Sequence, residues 1–153
     1  MIARRALLLS APSFLAARRA LAHASALDAL VDELVATINK ARHAQRLPPV
    51  RTEPALCRAA QAHAEDLARR DILDHTGRDG RELGERLTAA GFRWRAAAEN
   101  LARGSEISGE IVELWLKSPP HRRNLLRADL DQAGVGVAFG ATGAVWVLDL
   151  ARA

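Results

Sequence analysis

The sequence predicts an α+β domain with helices first and antiparallel strands last. Three observations point to it. From Leu27 onward, apolar residues recur at helical spacing, beginning with Leu27, Leu30, Val31, Leu34, Val35 and Ile38. Near the C-terminus the pattern changes to alternation, in GVGVAFG and AVWVLDL. Between these regions, proline and glycine break the chain at LPPV, DHTGRDG and SPPH. Segregated helices and strands pack as layers around one core. The chain has 153 residues, 49% of them apolar, which suffices for a single domain with a buried core.

The first 24 residues read as an export signal. Arg4-Arg5 is its charged start, and Ala6 to Ala17 is an apolar run too short to span a bilayer. Small-x-small cleavage sites end at Ala22 and Ala24. The paired arginines followed by ALLL point to the twin-arginine route. This leader also explains the basic pI. Four of the 22 basic residues lie in it, leaving 18 against 18 acidic ones. A formally neutral remainder argues against nucleic acid as a partner. No later apolar stretch is long enough for a membrane span. The expectation is a single domain over residues 25–153, exported to the periplasm or secreted. The one cysteine, Cys57, excludes an intramolecular disulfide and a thiolate metal site.

The first helix of the domain runs to about Gln45, where Pro48-Pro49 cannot continue it. The second begins near Glu53-Pro54, with proline in the first turn. Its apolar stripe is Leu56, Ala60, His63, Ala64 and Leu67. That position makes His63 a core histidine with a satisfied hydrogen bond, and Cys57 a small buried hydrophobe. DHTGRDG is a turn-rich loop. Asp79 with Glu82 has capping-box spacing and opens a third helix, which Gly91 stops. FRWRAAAENLARG reads as a loop and a short strand, and Ser108 to Lys117 as a helix. A hairpin closes the chain, turning at Gly140 to Gly143. In its last strand Val145, Val147 and Asp149 share one face, and Trp146, Leu148 and Leu150 the other. Trp94, Trp115 and Trp146 are expected as core anchors. Arg42, His43, Arg46 and Arg51 are expected on a solvated face.

KSPPHRRNLL carries the strongest chemical hint. Ser118 suits an N-cap, and Pro119 and Pro120 stiffen the first turn beneath His121. The helix dipole disfavours a charged imidazole there, so His121 should be neutral near pH 7, able to bind a metal or accept a proton. His75 lies in the turn-rich loop, and Glu99 is set among apolar residues. Two imidazoles and a carboxylate make either a three-ligand metal site or a hydrogen-bonded pocket without metal, and the spacing is compatible with both. His63-Ala64-Glu65 lacks the second histidine of H-E-x-x-H, and there is no G-x-S-x-G elbow.

RAAQAHAEDLARRDILDHTGRDG, AAAENLARG, ELWLKSPPHRRNLLRADLDQAGVGVA and VWVLDLA stand in an order that resembles the CAP superfamily, in particular its bacterial SCP-domain branch. The likeness covers about residues 28 to 151. It implies a three-layer α-β-α sandwich with a small antiparallel sheet and a cleft lined by histidines and acids. The family's central-loop histidine falls on His75, its second histidine on His121, and the glutamate of its G-E-N motif on Glu99, with Ala98 in place of the glycine. Where plant and animal members carry a second glutamate, this chain has Ser118, and Asp149 is the candidate replacement acid. The disulfides of some members are absent. The resemblance implies a non-catalytic binding module for a divalent cation such as zinc or a small ligand, with lipid or protein partners elsewhere on the surface. The alternative is a metal-dependent hydrolase, with His75 and His121 holding the metal and Glu99 as general base. No single reaction is shared across the family, so the fold alone does not supply the chemistry.

Overall fold

The computed structural model describes residues 14–153, with side chains from Ala26 onward. The export signal predicted for residues 1–24 lies outside the described residues over its first 13 positions.

Among the described residues the order is α1 (Phe14–Ala44), β1 (Arg51–Thr52), α2 (Pro54–Arg70), α3 (Leu83–Ala89), β2 (Ala96–Gly104), α4 (Ser108–Lys117), α5 (Pro119–Leu125), β3 (Gln132–Gly140) and β4 (Gly143–Arg152). The strands form one sheet in the order β1-β3-β4-β2. The hairpin β3–β4 and the pair β2–β4 are antiparallel, as expected. β1 adds a two-residue parallel pairing to β3, so the sheet is mixed rather than wholly antiparallel. Two residues are too few to show any periodicity, which is why β1 left no trace in the sequence pattern.

The sheet lies between two helical layers. On one face Leu34, Val35 and Ile38 of α1 and Ile111, Val112 and Trp115 of α4 pack on Trp146, Leu148 and Leu150. On the other face α2 sets Ala60, Ala64 and Leu67 against Val145 and Val147. The small residues alternating in β3 explain how closely α2 approaches. A β-carbon on Gly134 would lie 2.1 Å from the Leu56 carbonyl carbon, and one on Gly136 would lie 2.3 Å from that of Ala60. Helix backbone therefore rests directly on strand backbone.

The N-cap of α2 is Glu53, whose carboxylate accepts from the Ala55 N–H at 3.1 Å. Four local expectations need correction. The capping box of α3 is Glu82 with Glu85, not Asp79 with Glu82. Asp79 instead accepts from the Arg81 N–H two residues on, a turn bond that competes with capping. Ser118 is the N-cap of α5 by backbone geometry, but its hydroxyl makes no capping hydrogen bond. Trp94 is 43% exposed rather than a core anchor. Its indole lies over Gly84, where the missing side chain leaves room, and donates to the Gly84 carbonyl at 2.9 Å. Trp115 and Trp146 are fully buried, as expected. Cys57 is only half-buried.

Arg42 overturns its expected surface placement: it is 0% exposed. Its guanidinium donates to the carbonyls of Pro48, Leu125, Arg127 and Leu130 at 2.8–3.0 Å. A helix-terminal arginine reads as solvated only until the tertiary fold brings carbonyls from distant loops around it.

Candidate functional site

The site begins with strand register. Glu99 of β2 stands opposite Asp149 of β4. Residues directly opposite on antiparallel strands share a face, and here the face is the one that α2 covers. His63 of α2 reaches down to it, its Nε2 3.9 Å from Glu99 Oε2. The loop after α2 then brings His75 over the end of the Glu99 side chain.

Glu99 is 6% exposed, and both of its oxygens are engaged. His75 Nδ1 lies 2.7 Å from Oε1, and Arg86 Nη2 donates to Oε2 at 2.5 Å. Burial works to raise the Glu99 pKa. The His75 hydrogen bond, the Arg86 charge and nearby His63 outweigh it and hold the carboxyl below its ordinary value. The same hydrogen bond raises His75 above the usual imidazole range, against the opposing effect of burial. Its side chain is 59% exposed, and Nε2, the nitrogen not bonded to Glu99, has no hydrogen-bond partner among the described residues.

Arg86 also ties the loop down, donating to the His75 carbonyl at 2.6 Å and the Arg81 carbonyl at 3.1 Å. Thr76 completes the turn: its N–H donates to Asp74 Oδ1 and its hydroxyl to Glu82 Oε1. Nothing in the sequence singled out Arg86. It follows Glu85 on a short charged helix, where an arginine ordinarily faces solvent. Only the packing of α3 against β2 brings it to Glu99.

Asp149 is fully buried, and neither of its oxygens has a conventional hydrogen-bond donor. Burial and then the neighbouring Glu99 charge push its pKa well above the ordinary value. Both influences favour the neutral form of Asp149 beside the Glu99 carboxylate. His63 is fully buried, as expected, with Nε2 3.0 Å from the Asp74 carbonyl. Burial, its main influence, lowers its pKa, against the opposing charge of Glu99 at 3.9 Å.

His121 lies on α5, which two asparagines dock onto β2. Asn100 donates to the His121 carbonyl at 3.0 Å, and Asn124 donates to the Glu99 carbonyl at 3.1 Å. Burial, and next the charge on His75, lower the His121 pKa. Both influences favour the neutral imidazole. Ser118 makes none of the contacts that join His75, Glu99, Arg86 and Asp149.

Among the described residues, no three histidine, cysteine, aspartate or glutamate side chains are grouped to hold a metal ion. Both Glu99 oxygens are committed, Oε1 to His75 and Oε2 to Arg86. Glu99 orients the His75 imidazole from behind through Nδ1.

Comparison with known proteins agrees with this architecture. The chain is 27% identical over 122 residues to YkwD of Bacillus subtilis (strain 168), covering 80% of this chain and 47% of that protein. It thus spans about half the length of that relative. Among solved structures, an outer surface protein of Borrelia burgdorferi superposes with a TM-score of 0.72 at 23% identity, covering 78% of this chain and 89% of that one. An extracellular SCP-domain protein of Bacillus anthracis gives 0.76 at 21% identity, covering 94% and 45%. At these identities the likeness speaks to the fold. Among the described residues, no helix is long and apolar enough to cross a membrane. A sequence match over residues 35–150 takes in every element that builds the cleft, and the chain belongs to the cysteine-rich secretory protein (CAP) family.

Proposed function

We propose that the protein is an exported, non-catalytic binding module whose cleft holds a divalent cation, zinc being the natural probe, between His75 and His121. One observation carries this reading: the Glu99 carboxylate bonds His75 Nδ1 at 2.7 Å and leaves Nε2 open. A carboxylate behind a ligating imidazole fixes its tautomer and raises its basicity. Neutral His121 supplies the second nitrogen. The bound cation would supply Lewis acidity at the cleft mouth.

The hydrolase alternative needs Glu99 as a general base. Arg86 and His75 occupy both Glu99 oxygens and lower its pKa, which argues against that role. Export is proposed from the leader. That one superposed protein is an outer surface protein and the other extracellular is in keeping with it.

Calorimetric titration of the metal-stripped protein with zinc tests the reading. One site is expected in the wild type, lost in His75→Ala and in His121→Ala while both stay folded. Glu99→Gln should weaken binding by roughly 10- to 100-fold. No binding in the wild type, or binding retained in both histidine variants, contradicts it.

A further inference from the structure

A second cavity, of about 680 Å³, opens between α2, the loop after it and α3. It falls within the size range of small-molecule sites. His75, Glu99 and His121 do not line it; of the residues around the cleft, only His63 and Arg86 reach its wall. Its lining holds five arginines: Arg58, Arg69, Arg78, Arg81 and Arg86. Against them stand two acids, Asp66 and Asp79. Beyond the leader the chain is formally neutral, with 18 residues of each sign, so this concentration of positive charge is local.

Arg86 is offset by Glu99 from outside the lining, and the two lining acids leave Arg58, Arg69 and Arg78 without a close carboxylate. Asp66 is already paired at 2.7 Å with Arg70, which lies outside the lining. Asp79 offsets Arg81 at 3.2 Å. Arg69 reaches Glu65 only at 3.9 Å. Arg58 makes one hydrogen bond, to the Ala90 carbonyl at 3.1 Å. The Arg78 guanidinium has neither hydrogen bond nor ion pair among the described residues; only its backbone N–H is bound, to Asp66. The Nε of Arg86 is buried without a partner. Between the arginines, Ala59, Ala62, Ala89 and Ala90 give an apolar floor. Guanidinium forks match carboxylate and phosphate oxygens geometrically.

We infer that this cavity binds a small dianion with an apolar body, a phosphate monoester or an aromatic dicarboxylate. The charged head meets Arg78, Arg69 and Arg58, and the body rests on the alanines. Nothing in the inference depends on the His75–His121 cleft.

Titration calorimetry at low salt, with phenyl phosphate and with phthalate, tests it. One saturable site is expected for at least one probe, and the preferred probe identifies the head group. Affinity should fall as sodium chloride is added. Arg78→Glu should weaken binding at least tenfold, and Arg69→Gln with Arg78→Gln should do so without reversing charge. Arg123→Glu, an exposed arginine outside the cavity, should leave binding unchanged. No saturation by either probe, or equal weakening by Arg78→Glu and Arg123→Glu, would overturn the inference.

Discussion

At Glu99, two donors and a second buried acid meet, and their balance sets a pH dependence. The folded Glu99 pKa lies below its ordinary value. Its pairing therefore stabilises the fold above the unfolded carboxylate pKa, and this is lost as pH falls through the folded value. Asp149 has the opposite sign. Its folded pKa is raised, so its contribution is full below the unfolded value and is lost as pH rises toward the folded one. Asp149→Asn keeps a neutral side chain beside Glu99 and removes that loss. The variant should match wild type near pH 4 and become progressively more stable than it toward pH 7, measured by urea denaturation at both. A wild type more stable at pH 7 would contradict the assignment of the proton to Asp149. The sequence showed Glu99 and Asp149 as candidates, but not as neighbours. Their pairing depends on the β2–β4 register, which links residues 50 positions apart. Arg86 was hidden for a related reason: its partner lies on another element.

At the scale of elements, the packing of α2 on β3 and the anchoring of the α5 loop hold the cleft together. Gly134→Ala pushes a methyl into the α2 backbone and should cost about 1–3 kcal/mol, read by chemical denaturation. A neutral result would mean that α2 sits further from the sheet. Arg42 bonds four carbonyls with no carboxylate among its partners. Arg42→Met should cost about 3–5 kcal/mol, because the carbonyls lose their donors. Arg42→Lys should recover little of it, since an ammonium cannot reproduce the planar fork. The helices were largely legible, since each carries a stripe: Leu56, Ala60, His63, Ala64 and Leu67 are all buried. α4 has the expected bounds, Ser108–Lys117. What periodicity could not show was a charged side chain turned inward by distant loops, or an indole seated on a glycine.

For the whole molecule, charge is spread unevenly along the chain. The basic pI arises mainly in residues 1–24, and within the formally neutral remainder positive charge gathers at the arginine-lined cavity. Replacing Arg4 and Arg5 by lysine should block export if the leader uses the twin-arginine route, checked by fractionating cells that express the chain. Export unchanged by the double replacement would assign the leader to another route. The layered architecture was readable from the order of helices and hairpin. The two-residue β1 was not, and it is what makes the sheet mixed.

The central claim is that Glu99 holds His75 by Nδ1 and leaves two imidazoles to take a cation. Imidazole nitrogen NMR during a zinc titration tests it most directly. The expected result is a perturbation of His75 Nε2 and of one His121 nitrogen, with the His75 Nδ1 proton to Glu99 retained and His63 unaffected. Zinc that leaves both imidazoles unmoved, or that displaces the Nδ1 proton of His75, would contradict the account.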